Sequence, residues 1–266
     1  MRFGLLGCSL VCLAACGAPS PSRSPSRVRS AAALPPGWVI VAPPKPDSRE
    51  AHCANWADTG WAVALTPDSG QLVISPAHHL RRHTLEVSGG RLGADNRGEF
   101  GGTIWWQPAG RPTITLSEGN LVDFVQLGSQ VLGLEGLGGY GPGRLLKFTR
   151  RASDWRVDTL VQLGDAPYAY TVVLPDSIFV ATTSTLLLIR DTVVRRLYHS
   201  AVWYLTYANS VARDQAGWIY VGMQSAVARL TSTDSGYQER WIVPASCPRR
   251  RLVPRQLDRC VCVPPS

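Results

Sequence analysis

His78, His79 and His83 form an H-H-x-x-x-H run, a spacing that can hold a metal ion when a helix brings its ends together. Pro76 and strand-rich surroundings predict an extended chain there instead. In a strand His79 and His83 share a face but stand roughly 13 Å apart, too far for one ion. The run is therefore read as surface histidines, and no metal is expected. Asn96, Arg97, Gly98 and Glu99 lie in a glycine-flanked loop between two apolar runs. An amide beside a carboxylate at such a place can orient a ligand or cap the turn. Trp105 and Trp106 are adjacent, so in a strand they point to opposite faces and one belongs in the core. No G-x-S-x-G elbow, P-loop or H-E-x-x-H helix occurs, which favours a binding protein over an enzyme. No cofactor is expected.

Seven cysteines add a second kind of chemistry. The chain opens with Arg2 and an apolar or small run from Phe3 to Ala15, shorter than the ~20 residues a membrane-spanning helix needs. A short apolar run behind a positive charge has the form of a secretory signal. Its end, Leu13-Ala14-Ala15-Cys16, resembles the lipobox of bacterial lipoproteins. That resemblance implies cleavage before Cys16, a diacylglycerol on its thiol and acylation (palmitate-type chains) of the new N-terminus. Residues 1–15 would then be the signal peptide and 16–36 a lipidated Pro/Ser/Arg-rich tether. Gly17 follows the anchor where inner-membrane lipoproteins resemble one another in carrying Asp, so an outer-membrane location is implied where the cell has one. Cys8 and Cys12 leave with the signal. Cys53, Cys247, Cys260 and Cys262 remain in an oxidising compartment, where three pairings are open. Cys260 and Cys262 are too close for an unstrained bridge; the favoured pairing joins Cys53 to Cys247 or another tail cysteine.

The net charge of +8 suggests a nucleic-acid partner until it is located. Arg2 belongs to the signal, and Arg23, Arg27 and Arg29 to the tether. Arg249, Arg250, Arg251, Arg255 and Arg259 against Asp258 make the tail, 247–266, four positive. Residues 37–246 are therefore neutral, which argues against a nucleic-acid groove. The basic ends suit an anionic membrane or envelope surface.

These groups must be positioned by the body, 37–246, which is long enough for one domain with a full core. Apolar runs of four to seven residues alternate with Gly, Asp, Pro and Ser turns, the pattern of many short strands. The plan of Val211–Val243 recurs at Thr171–His199 and again at Val122–Leu163, with equivalent strands starting near Gln130, Ser177 and Gly217, 47 and 40 residues apart. Four strands at that period predict an all-β fold, a β-propeller. About five four-stranded blades are expected, the first two degenerate, with four or six also open. A β-sandwich or open solenoid is the rival.

The units Trp218–Thr231 and Ser177–Arg190 resemble the repeats of sensor-type bacterial propellers, which implies blades but no particular chemistry. Asn209-Ser210, with Asp214, Gly217 and Tyr220 behind it, is similar to the Asn-Gly…Asp-Gly…Tyr-Val run of gluconolactonase-like propellers. That likeness implies an alternative function, a metal-dependent lactonase-like hydrolase with Asn209 as a metal ligand. The expected function is instead a non-catalytic lipoprotein of the cell envelope that binds a ligand, protein or glycan. In a propeller, the connections into each blade's first strand and the turns between second and third strands open at one end. Asp165, Tyr168, Tyr207 and Asn209 fall in the former; Asn96, Glu99 and Tyr140 fall in the latter. The seven are expected to rim one end of the ring.

Overall fold

The computed structural model describes residues 31–55, 59–77, 82–138, 140–152 and 154–246. The lipobox, His78, His79 and the cysteines at 247, 260 and 262 lie outside the described residues. The chain begins with β1 (Trp38–Val41) and a short helix, α1 (Arg49–Asn55), which carries Cys53. The first blade is a hairpin of β2 (Trp61–Leu65) and β3 (Leu72–Pro76). The second contains β4 (Arg82–Val87), β5 (Gly90–Asn96), β6 (Gly102–Pro108) and β7 (Ile114–Glu118). The third contains β8 (Leu121–Leu127), β9 (Gln130–Glu135), β10 (Arg144–Arg150) and β11 (Trp155–Gln162). The fourth is β12 (Pro167–Leu174), β13 (Ser177–Thr182), β14 (Thr185–Arg190) and β15 (Val193–His199). The fifth is β16 (Ser210–Arg213), β17 (Ile219–Gly222), β18 (Val227–Thr233) and β19 (Gly236–Pro244). Within each sheet every strand pairs antiparallel with the next in sequence.

This is an all-β fold of five propeller-like blades, as the repeat predicts. Two details differ from expectation. The second blade is complete rather than degenerate; only the first stops at two strands among the described residues. And β1 joins the outer edge of the fifth blade, Trp38 opposite Pro244, so the two ends of the domain meet in one sheet.

Burial explains why the sequence reads as it does. The β13 strand, Ser-Ile-Phe-Val-Ala-Thr, is buried at every position because both faces are covered by neighbouring blades, and its apolar run is continuous for that reason. Ile178 and Val180 face the third blade with Leu134 and Leu145. Phe179 and Ala181 face the fifth with Val221 and Trp241. The outer strand β15 is exposed at Val193, Arg195, Arg196 and His199. Similar apolar layers join the second blade to the third around Trp106 and Phe124, and the fifth to the first around Trp61 and Tyr220. Burying each large aliphatic side chain in such a layer stabilises by about 1.5–3 kcal/mol. Trp105 and Trp106 do point opposite ways, yet both are buried. Trp106 enters the layer between blades, while the ring of Trp105 lies over Gly93, where any side chain would collide with it.

The amino-terminal segment is part of this packing. Ala32 and Leu34 lie against the layer between the fifth and first blades, and the Ala32 N–H donates to Asp214 Oδ2 at 2.9 Å. Asp214 sits in the β16–β17 turn, so the chain reaches the domain at the end opposite the start of β16. Among the described residues no helix is long and apolar enough to cross a membrane.

Candidate functional site

Hydrogen bonds between loops trace one end of the assembly from blade to blade. Asn96 accepts from the Gly98 N–H through Oδ1 (3.0 Å) and donates through Nδ2 to the Leu121 carbonyl (3.2 Å). Asn120 Nδ2 donates to the Gly98 carbonyl at 2.9 Å. The second blade's β5–β6 turn is thus held against the start of β8. Farther along, the Thr183 N–H donates to the Ala166 carbonyl, and the Gln224 N–H to the Thr206 carbonyl. Asn209 donates its backbone N–H to the Gly222 carbonyl at 2.8 Å, and the Trp61 N–H donates to the Met223 carbonyl at 2.9 Å.

Side chains occupy this end in a row. The Tyr140 hydroxyl donates to Glu99 Oε2 at 2.8 Å, joining the β5–β6 and β9–β10 turns. That bond and the carboxylate's charge raise the Tyr140 phenol above its ordinary pKa. Gly138, in the same β9–β10 turn, leaves room for the Tyr168 hydroxyl; a side chain there would overlap it. The Tyr168 and Tyr207 rings meet edge to face, centroids 5.9 Å apart. Burial, reinforced by Tyr207 and offset by a hydrogen bond with Thr183, pushes the Tyr168 phenol up to about 12. It therefore stays a neutral donor at any ordinary pH. Tyr207 is held at φ 43°, in the left-handed region that costs a bulky residue of order 1 kcal/mol or more. A bond from its N–H to the Trp203 carbonyl keeps it there.

Three of the seven expected residues bond within the scaffold: Asn96 as described, and Asp165 and Asn209 through one side-chain oxygen each. Asp165 Oδ2 accepts from Ser184 Oγ (2.6 Å), Thr185 Oγ1 (3.2 Å) and Thr182 Oγ1 (3.3 Å), which ties the β11–β12 connection to the β13–β14 turn. Asn209 Oδ1 accepts from Ser210 Oγ at 2.9 Å, and that oxygen accepts in turn from the Val63 N–H at 2.8 Å. Asn209 therefore fastens the fifth blade to the first. A lactonase-like centre needs several oxygen or nitrogen ligands converging on it. Among the described residues no group of three His, Cys, Asp or Glu is placed to hold a metal. His83 instead approaches Asp123, Nδ1 to Oδ1, at 3.4 Å.

Two residues at this end escaped the sequence reading. Phe100 closes the short 3-10 turn Gly98–Phe100, and Tyr204 lies in the 3-10 turn Trp203–Leu205. Their exposures are 80% and 45%, beside 68% for Tyr140 and 43% for Tyr207. These four are the exposed aromatic residues among those described, and all four stand at the same end; the other exposed large hydrophobics are aliphatic. Among the described residues, the charged side chains in the turns and connections of blades two to five here are Arg97, Glu99 and Asp165. The opposite end is built differently, with Asp154, Asp176, Asp191, Asp214 and Asp234 in its turns. Aspartates there are ordinary turn formers; aromatic rings in water are not.

No protein-family profile matches the chain, and no curated protein matches it. Several solved structures do. A Bacteroides uniformis protein assigned as a 6-phosphogluconolactonase is 11% identical over 81% of this chain and 74% of its own, with TM-score 0.42. The N-terminal domain of Nup159 is 9% identical over 70% of this chain and 61% of its own, TM-score 0.27. The soluble aldose sugar dehydrogenase of Escherichia coli is 10% identical over 70% of this chain and 96% of its own, TM-score 0.26.

Proposed function

We propose that this chain is a lipid-anchored, non-catalytic propeller protein of the cell envelope that captures an extended ligand on the aromatic end. One observation carries the reading: Phe100, Tyr140, Tyr204 and Tyr207 are exposed together at one end and nowhere else among the described residues. Leaving rings in water forgoes burial worth about 1.5–3 kcal/mol each, and Tyr207 holds a strained backbone as well. Clusters of exposed aromatics mark binding surfaces, and tyrosine supplies contact area with a polar tip at low entropic cost.

The anchor is proposed at Cys16, from the lipobox, with an outer-membrane location where the cell has one. The amino-terminal segment meets the domain beside Asp214, at the end away from the aromatic row, so an anchored chain keeps that row free. A disulfide from Cys53 to Cys247, Cys260 or Cys262 is proposed with it. The helix α1, which carries Cys53, touches the Trp203 turn, at the end where β19 finishes. Non-reducing peptide mapping is expected to recover Cys53 joined to a tail peptide; recovery of Cys53 as a free thiol would count against it.

The binding reading is tested by capture from crosslinked envelope. Changing Tyr168 and Tyr207 to Ala together is expected to lower capture by about two orders of magnitude, as two hot-spot residues of about 1.4 kcal/mol or more each would. Undiminished capture by a variant whose melting is still cooperative would overturn it.

A further inference from the structure

We infer that the occupant of the aromatic end is a neutral polysaccharide chain, held by sugar rings laid on the exposed side chains. The inference rests on the binding reading above and narrows it to one chemistry.

The row has an order. Phe100 and Glu99 share a turn, Glu99 bonds Tyr140, and Tyr140 shares a turn with Gly138, which abuts the Tyr168 hydroxyl. Tyr168 packs on Tyr207, and Tyr207 follows the turn that carries Tyr204. Aromatic groups are thus spaced around four blades rather than gathered into one pocket. Such a row contacts a ligand repeatedly along its length, which suits a polymer.

Chemistry then separates the polymers. A nucleic acid demands several cations, but among the described residues the turns and connections of blades two to five at this end carry one basic residue, Arg97, two residues from Glu99. A strand-forming peptide docks by pairing with an open sheet edge; this end consists of turns and strand ends. A lipid tail needs a continuous apolar lining, whereas this row ends in phenol hydroxyls. A sugar presents an apolar C–H face rimmed by hydroxyls. That pattern complements a tyrosine, which offers a flat apolar face and one polar tip. The Glu99–Tyr140 pair adds an acceptor with lone pairs still free for sugar hydroxyls. Because no net charge is involved, binding should resist salt.

Native electrophoresis of the full chain in detergent, through gels containing dextran, laminarin, galactomannan or xyloglucan, tests this directly. Retardation by at least one of the four is expected, unchanged when salt is raised. The variants Phe100→Ser and Tyr204→Ala each remove a ring exposed at this end and are expected to weaken that retardation about tenfold or more. Retardation that the two variants do not alter would overturn the assignment to this row. Retardation only by polygalacturonate, and lost in salt, would overturn the neutral chemistry. If none of the four polysaccharides retards the chain while envelope capture persists and depends on Tyr168 and Tyr207, the occupant is a protein. Only the joint loss of capture dependence and retardation would remove the binding surface itself.

Discussion

Cys16→Ser is expected to abolish the protein's labelling by an alkyne fatty acid and its lipid hold on the membrane. The size of the effect follows from the anchor's arithmetic. Each buried methylene contributes about 0.8 kcal/mol, so one acyl chain binds marginally and two or more bind stably. On the proposed reading the thiol carries the diacylglycerol, so removing it would also prevent the cleavage that exposes the acylated amine. Among the described residues no helix is long enough and apolar enough to span a bilayer. Fractionation and labelling of wild type and variant decide the matter. Membrane retention of both proteins without any labelling would end the lipoprotein proposal, and would leave the aromatic end untouched as a binding surface.

Glu239→Leu is the second large effect, and it acts on stability. Glu239 lies on β19 with 7% exposure. Its Oε1 accepts from the indole N–H groups of Trp203 and Trp241, both at 2.8 Å. Its Oε2 accepts from the Tyr198 hydroxyl at 2.9 Å and Ser200 Oγ at 3.1 Å. Burial, and then the charge and hydrogen bond of this carboxylate, raise the Tyr198 phenol far above its ordinary value. Leucine fills the volume but leaves two buried indole donors and two hydroxyls without an acceptor. At about 1–3 kcal/mol for each buried orphan, the indoles alone put the loss at about 2–6 kcal/mol. Whole domains are stable by only about 5–15 kcal/mol. Urea unfolding is expected to show a large fall in midpoint, or no folded baseline at 37 °C. Adding Trp203→Phe and Trp241→Phe should recover part of the loss by removing the orphans. A shift below about 1 kcal/mol in Glu239→Leu would refute this account. The same contact reaches function, because Trp203 anchors the turn that presents Tyr204 and Tyr207.

Much of the fold was legible because its determinants are local. The alternation of apolar runs with Gly, Asp and Pro turns, repeated every 40 to 47 residues, depends only on neighbours in the chain. Blades three to five follow it closely. The second blade was underestimated because β5, Gly-Arg-Leu-Gly-Ala-Asp-Asn, reads as a loop. Gly93 is there to admit the ring of Trp105, a requirement set by a facing strand and invisible along the chain. The place of β1 was hidden for a similar reason. Trp-Val-Ile-Val can pair with any free edge, and its partner at Trp241–Pro244 lies some two hundred residues away.

The aromatic end divides the same way. Antiparallel order alone assigns Asn96, Glu99, Tyr140, Asp165, Tyr168, Tyr207 and Asn209 to turns and strand starts of one end, since each strand reverses the last. What those side chains have left to offer is decided by contacts across blades. Asp165 has an oxygen taken up by hydroxyls of the β13–β14 turn, and Asn209 by the adjoining Ser210, which the first blade's Val63 holds in turn, whereas Tyr140 and Tyr207 remain in water. Nothing in the sequence sets Phe100 and Tyr204 apart from aromatic residues of the core. Only packing, which finds no room for them in the layers between blades, turns them outward. The sequence by itself determined strand, turn and polarity, because each depends on a few adjacent residues. Exposure depends on every group that competes for the same buried volume, and the tertiary structure alone settles that competition.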